Sequence, residues 1–206
     1  MTSEPNILNR LRHDGDVPIA AVERLHERLV EAASRGDLLD VAYRVLDTPV
    51  GPLLLAATPA GLVRVAFANQ GHDEVLDDLA RRVSPRVLHA PSRLDPAAGQ
   101  LHEYFSGRRR RFDIPLDLQL AHGFRRLVLD CLADLDYGST ASYAAVAAAI
   151  GKPKAVRAVG TACATNPVPV VIPCHRIVRS DGGAGDYVGG ANTKRVLLAL
   201  EIGNRP

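Results

Sequence analysis

Apolar residues recur at two different spacings along the chain and divide it into three stretches. From Val17 to Ser34, Ile19, Val22, Leu25, Leu29 and Ala32 fall three or four positions apart with charges between them, the spacing of an amphipathic helix. Asp16 is placed to cap this helix and Gly36 to stop it. Its stripe needs a packing surface, either the rest of the chain or a partner. Residues 1–16 carry no such pattern and are expected to be poorly ordered. The second stretch, 41–120, opens with "VAYRVLDTPVGPLLLAATPAGLVRVAF", β-rich runs punctuated by turns. Its clearest hairpin joins "LLLAA" to "LVRVAF" through Thr58-Pro59-Ala60-Gly61. "HDEVLDDLARRV" then reads as a helix with Val75, Leu76, Leu79 and Val83 on one side. "RVLHAP" suits a short strand, and "PAAGQLHEYFSG" a helix ending at Gly107. In "RFDIPLDLQL", Phe112, Ile114, Leu116, Leu118 and Leu120 alternate with polar residues. That pattern fits an edge strand or an extended linker packed along a surface, Pro115 favouring the edge. The expected fold class is α/β, beginning with a small domain built on an antiparallel sheet.

From residue 121 onward helical spacing dominates. "GFRRLVLDCLADL" predicts a helix with Phe124, Leu127, Val128, Cys131 and Leu132 inward. Ser142 caps a second helix that stops at Gly151. "KPKAVRAVGTACAT" begins a third, with Pro153 in its first turn. Two short helices around a tight Gly-containing turn make a helix-turn-helix. Lys152, Lys154 and Arg157 surround the start of its second helix, where the backbone N–H groups add positive potential suited to phosphate. A glycine-rich loop, "DGGAGDYVGG", leads to a last helix, "ANTKRVLLALE", with Asn192 as its expected cap and Glu201 near its end.

Charge sharpens this division. The formal net charge is only +2, yet residues 1–40 hold 5 basic against 8 acidic side chains and residues 121–206 hold 10 against 6. No acidic residue lies between Asp136 and Asp181, while Lys152, Lys154, Arg157, Arg176 and Arg179 do. Such a stretch indicates a surface that meets an anion; the alternative is a small-residue helical segment that happens to lack acids. The "RRRR" at 108–111 is either a nuclear signal or the exposed start of a strand. Cys131, Cys163 and Cys174 are odd in number and form no C-x-x-C, which argues against a disulfide framework and for a reducing compartment. The N-terminal residues lack a signal-peptide core, and no apolar run is long enough to span a bilayer. The expected location is the cytoplasm, or the nucleus of a eukaryote.

The segment "NPVPVVIPCHRIV" (166–178) sets Cys174 beside His175 behind three prolines. Neighbours on a strand point to opposite faces, so a working Cys–His pair requires a turn, and prolines favour one. A thiolate nucleophile needs a base or a positive charge beside it, which His175 can be, directly or through a water. A third group must orient the base. Glu201 suits that role because a carboxylate in a last helical turn faces the negative end of the dipole; otherwise it is a solvated helix end. A purely structural Cys–His pair is the competing reading of Cys174 and His175.

Together, "YGSTASYAAVAAAIGKPKAVRAVGTACATNPVPVVIPCHRIV", "GDYVGG" and "LLALE" resemble the O6-alkylguanine-DNA alkyltransferase family, the methylated-DNA–protein-cysteine methyltransferases. The likeness runs without gaps from Tyr137 to Glu201 and more weakly through "LHEYFSGRRRRFDIPLDLQLAHGF" and the hairpin after Asp47. It implies a ribonuclease-H-like N-terminal α/β domain (41–120) and a winged-helix-like, mostly helical DNA-binding and alkyl-acceptor domain (121–206), preceded by an extension with one amphipathic helix (1–40). It implies direct-reversal repair of duplex DNA. Cys174 would take the alkyl group from O6 of guanine, or less readily O4 of thymine, as an irreversible thioether, once per molecule.

The same resemblance distributes the other roles. His175 would deprotonate Cys174 through a water and Glu201 would orient His175. Asn166 would join the helix-turn-helix to the active-site turn. Tyr143 would offer its hydroxyl to the departing purine. Tyr187, Val188, Gly189 and Gly190 would line the base pocket, the glycines leaving room for the base. Arg157 would fill the gap left by the flipped nucleotide. Lys152, Lys154, Ala158, Gly160 and Thr161 would meet DNA through a minor-groove approach. The implied partner is double-stranded DNA carrying alkylated guanine, with the protein a monomer and no membrane involved.

The chain departs from the family pattern at several points. Val188 stands where many members have a small polar residue, Ala164 where some have a basic one, and "AHGF" where G-T-x-F-Q is common. No cysteine precedes Cys131, so the structural zinc of some members is not expected, and neither a metal nor a cofactor is implied. Cys163 is a buried spectator or a secondary alkylation site. Two other functions compete: a damage-recognition or regulatory DNA-binding protein without repair, and a thiol hydrolase, which multiple turnovers would distinguish.

Overall fold

The computed structural model describes residues 18–180, 183 and 185–203. The expected cap at Asp16, the first 16 residues and part of the glycine-rich loop lie outside them. The chain divides into two compact units after Leu39. The first contains helix α1 (Ile19–Arg35), entered from Pro18. Gly36 stops it as expected, its N–H donating to the Ala32 carbonyl at 2.9 Å.

The second unit begins with a meander. Strands β1 (Val41–Leu46), β2 (Leu53–Thr58) and β3 (Gly61–Phe67) pair antiparallel. Helix α2 (His72–Arg82) then carries the chain to β4 (Val87–His89), which lies parallel to β1 with Val41 opposite Val87. The sheet order is β3-β2-β1-β4, so the antiparallel meander gains a parallel edge. A helical connection returns the chain in the original direction, which a hairpin does not. The stripe on α2 falls as the spacing predicts. Val75 and Leu79 are buried, with Leu76 and Val83 partly so, against Val41, Leu54, Ala56, Val63 and Leu120. Each fully buried Leu or Val there contributes about 1.5–3 kcal/mol of transfer free energy. Asp73 and Glu74 in the first turn of α2 and Arg81 and Arg82 in its last complement the helix dipole.

Helix α3 (Asp95–Phe105) buries Ala97, Ala98, Leu101 and Tyr104. Gly107 follows it at φ 72°. The arginine run starts no strand: Arg109 pairs with Glu103 and Arg111 with Asp136. Residues 112–120 take the linker form of the two expected. The segment is extended and bridges to β3 at Leu62, whose N–H donates to the Pro115 carbonyl and whose carbonyl accepts from Asp117 N–H. Gly61 permits this approach, since a Cβ there would lie 2.3 Å from the Pro115 oxygen at φ 143°.

The remainder is mostly helical. Helix α4 (Phe124–Ala133) packs on α5 (Tyr143–Ala149) and α6 (Val156–Ala164). Its inward residues are Val128, Leu129 and Leu132, whereas Leu127 is exposed and Cys131 half-buried. Both stripes share Val128 and Leu132, so periodicity alone does not choose between them. The Ser142 hydroxyl caps α5 by accepting from the Ala145 N–H at 3.0 Å, and Gly151, at φ 69°, follows its end. The helix after it starts later than expected: Lys152–Ala155 forms a turn closed by Ala155 N–H on the Lys152 carbonyl, so Pro153 precedes α6. A short parallel pair, β5 (Ala141–Ser142) with β6 (Ile177–Val178), brings the helix-turn-helix beside the Cys–His segment. Helix α7 spans Gly190–Gly203. Asn192 therefore lies inside its first turn, where its side chain accepts from Arg195, and does not cap it.

Candidate active site

The proline-rich segment folds back on itself. Ile172 N–H bonds to the Val168 carbonyl, and Val170 takes φ 74°, a left-handed conformation costly for a β-branched residue. Asn166 holds this bend from inside. Its Oδ1 accepts from Val168 N–H at 3.0 Å, while Nδ2 donates to the Ile172 carbonyl at 2.9 Å and lies 3.1 Å from Cys174 Sγ. Outside, Val65 N–H on β3 donates to the Pro167 carbonyl at 2.8 Å. The chain then makes one 3₁₀ turn, Cys174–Arg176. That turn lets adjacent Cys174 and His175 both face inward, at 2% and 0% exposure.

Burial pushes the Cys174 thiol up to about 11, against the opposing pull of the Asn166 hydrogen bond and the Lys194 charge. Burial also pushes His175 below its ordinary value, opposed by Glu201, so the imidazole rests neutral. His175 Nε2 lies 2.9 Å from Glu201 Oε1; Nδ1 is buried, with no hydrogen-bond partner among the described residues. Glu201 is fully buried, not a solvated helix end. Arg176 clamps it with two bonds of 2.9 Å, and Gly138 N–H reaches Oε2 at 3.0 Å. Burial raises the pKa of Glu201, but hydrogen bonds from His175 and Arg176 outweigh it and hold the carboxyl well below the usual range. Such an anion compensates a positive charge on His175.

The acid-free stretch divides in two. Lys152, Lys154, Arg157 and Arg179 are exposed, whereas Arg176 turns inward to Glu201. Arg157 sits in the first turn of α6. Ala158 and Thr161 share its exposed side, and Gly160 is half-buried near the Tyr143 ring. A shallow groove of about 440 Å³ runs beside them, lined by His122, Phe124, Arg125, Ala158, Thr161 and Thr165. Cys163 lies on the buried side of α6, its thiol pushed up to about 12 by burial and then by the charge of Cys174.

Tyr143, the first residue of α5, is half-buried; a Cβ at Gly185 would come 3.0 Å from its hydroxyl. Burial, then the charges of Cys163, Asp186 and Cys174, raise its pKa. Tyr187 sets its ring edge-on to Phe67 at 5.6 Å and to His175 at 6.3 Å, and its hydroxyl is buried with no hydrogen-bond partner among the described residues. The Val188 carbonyl accepts from Asn69 Nδ2 at 3.0 Å. The space beside Gly189 belongs to Phe67, whose ring a Cβ would meet at 2.8 Å; Gly190 opens α7 at φ 86° with nothing near.

Three site residues escaped the sequence reading. Tyr104 lies in the helix of "PAAGQLHEYFSG", to which the sequence attached no role. Arg176 was counted with the surface cations. Lys194, fully buried, donates to the Ile177 carbonyl with its charge facing Cys174 and Cys163. Arg176 carried one signal, its place next to His175.

Comparison with known proteins gives a consistent answer. Residues 41–118 match the ribonuclease-like domain of 6-O-methylguanine DNA methyltransferase, and residues 123–202 its DNA-binding domain. A methylated-DNA–protein-cysteine methyltransferase of Mycobacterium bovis is 37% identical over 172 residues, covering 81% of this chain and 95% of its own. One from Methanosarcina barkeri is 36% identical, covering 79% and 98%. Among solved structures, the O6-methylguanine methyltransferase of Mycobacterium tuberculosis superposes with a TM-score of 0.72 at 36% identity, over 81% of this chain and 95% of that one. The OGT protein of the same organism in complex with DNA gives 0.68 at 35% identity, over 80% and 95%.

Proposed function

Since the chain belongs to the 6-O-methylguanine DNA methyltransferase family, we propose that it repairs duplex DNA by moving the alkyl group from O6 of guanine onto Sγ of Cys174. The observation that carries this reading is the buried line Asn166–Cys174–His175–Glu201. At neutral pH the thiol keeps its proton, so a base must remove it as the reaction proceeds. His175 takes that proton, directly or through a water, and the fixed carboxylate of Glu201 balances the imidazolium. The thiolate attacks the alkyl carbon, forming the S–C bond as the C–O bond breaks. The electron pair stays on the purine, where the Tyr143 hydroxyl supplies a hydrogen bond to the developing negative charge.

The thioether has no leaving group that water displaces readily, so each molecule acts once. The alkylated oxygen is out of reach inside a duplex, so the base must flip out. Arg157 on the exposed side of α6 is placed to fill the vacated position, and Lys152 and Lys154 to meet phosphates. Tyr187 and Val188 lie beside the base, while Gly189 admits Phe67 in place of the base. The lesion takes the form of alkylated guanine in double-stranded DNA, met by a monomer in the cytoplasm.

The test is incubation with duplex DNA carrying O6-methylguanine, followed by peptide mass analysis. The expected outcome is one added methyl group on the Cys174 peptide and one equivalent of lesion repaired. Multiple turnovers, or binding without transfer by well-folded protein, would refute it in favour of a hydrolase or a recognition protein.

A further inference from the structure

The carboxylate of Glu201 takes a hydrogen bond from outside the helical half of the molecule. Tyr104 lies on α3, 97 positions earlier, and is fully buried. Its hydroxyl is 2.8 Å from Glu201 Oε1, the same oxygen that faces His175 Nε2 at 2.9 Å. Its ring packs against Phe105 and Phe112 at 5.3 Å and Tyr137 at 6.1 Å. A phenylalanine would make those ring contacts equally well. The hydroxyl therefore has to be explained by its partner, because burying it unbonded is costly.

The geometry permits one arrangement of protons. Glu201 is ionised and only accepts. Burial, then the Glu201 charge, holds the Tyr104 pKa well above its usual value, so the hydroxyl keeps its proton and donates it to Oε1. The hydroxyl is 3.5 Å from His175 Nε2, too far for a good bond. Nε2 must then carry a hydrogen to bond Oε1. A neutral ring with its hydrogen on Nε2 has its lone pair on Nδ1, the nitrogen that has no protein partner among the described residues.

We propose that Tyr104 is a positioning residue for alkyl transfer, its hydroxyl pinning Oε1 of Glu201 so that His175 keeps its hydrogen on Nε2 and presents Nδ1 to the Cys174 proton. The proposal rests on the reading of Cys174 given above. It makes the sheet-bearing half of the chain a participant in the chemistry, through one hydroxyl on α3. The proton balance is simple: the thiol proton moves to Nδ1, the Tyr104 and Nε2 hydrogens stay in place, and the resulting imidazolium faces the Glu201 carboxylate.

The groups that face His175 are Glu201 and Lys194 from α7, Arg176 and Cys174 from its own turn, Tyr187 from the loop, and Tyr104. Tyr104→Phe changes only the last and keeps its ring. With one donor removed, Oε1 becomes a stronger acceptor, so the imidazolium forms more easily and His175 titrates at higher pH. The carboxylate is also held less firmly.

The test compares single-turnover methyl transfer by the full-length wild type and Tyr104→Phe from about pH 5.5 to 8.5, the range in which His titrates. The expected result is a plateau rate roughly tenfold lower, in line with losing a hydrogen bond to a charged group, with the acid limb displaced to higher pH. A wild-type rate and profile in the variant would overturn the proposal. So would a slower variant with an unshifted profile and a lowered melting temperature, which is the mark of a packing role alone. No transfer by the wild type overturns the alkyl-transfer reading and this proposal with it, whereas transfer that ignores Tyr104→Phe overturns this proposal alone. Nitrogen-15 NMR of His175 in the resting protein gives a second reading: hydrogen on Nε2 is expected, and hydrogen on Nδ1 would overturn it.

Discussion

Replacing Glu201 by glutamine removes one charge and almost no volume, and its effect follows from the geometry. His175 Nε2 and Glu201 Oε1 are 2.9 Å apart, both fully buried. With charge centres about 4 Å apart and an effective dielectric near 20, an imidazolium there gains about 4 kcal/mol from the carboxylate. Arg176 would remain beside it and repel it. If most of that charge has formed at the transition state, methyl transfer at pH 7 slows by roughly a hundred- to a thousandfold. The assay is rapid-quench single turnover on an O6-methylguanine duplex, with thermal melting recorded for the same preparation.

The pH dependence separates this cause from simple damage. A thiol near 11 gains thiolate roughly tenfold per pH unit below that value, whatever His175 does. The gap between Glu201→Gln and wild type should therefore narrow from pH 7 towards about 9.5 as hydroxide replaces the base. A loss under about fivefold in folded protein, or a gap that stays constant with pH, would refute the assignment of base and partner.

Arg157→Ala should slow repair in duplex DNA by about tenfold or more while leaving reaction with a free alkylated base nearly unchanged, because only flipping needs a residue in the stack; equal losses would give Arg157 a structural role. Duplex binding should weaken as salt rises, with a shallower slope for the Lys152→Ala, Lys154→Ala double variant, measured by fluorescence anisotropy. Gly189→Ala places a methyl group 2.8 Å from the Phe67 ring and should cost about 1–3 kcal/mol in urea unfolding, an effect that Phe67→Leu should relieve in the double variant. The depressed pKa of Glu201 contributes stability above the ordinary carboxylate pKa, and that stability is lost as pH falls through the folded value. The wild type should therefore lose more stability than Glu201→Gln between about pH 5 and pH 3, and parallel curves would contradict this.

Local chemistry made much of the molecule legible. The Thr58–Gly61 hairpin, the Ser142 cap, the apolar face of α2 and the helix-turn-helix each depend on neighbours within a few positions. The need for a turn at Cys174–His175 follows from the adjacency of the two residues, and a 3₁₀ turn meets it. Boundaries were less legible where two local solutions compete. Leu127 and Leu129 offer alternative inward faces on α4, and only packing against α5 and α6 selects the second. Asn192 has the chemistry of a cap, yet Gly190 starts the helix two residues earlier.

By itself the sequence offered Cys174, His175 and the cations around the second helix of the helix-turn-helix as candidates through residue type and short spacing, and Glu201 through its place in a last helical turn. Tertiary structure alone decided what stabilises them. Arg176 reads as one more cation among many until the fold seats it on a buried Glu201. Lys194 carries no sequence sign of burial, yet the fold buries it fully with its Nζ on the Ile177 carbonyl, and Phe67 gives no sign of filling the space beside Gly189. Tyr104 and Glu201 meet across 97 positions. No periodicity encodes such a contact, since it depends on how the sheet half and the helical half close over the same buried charge.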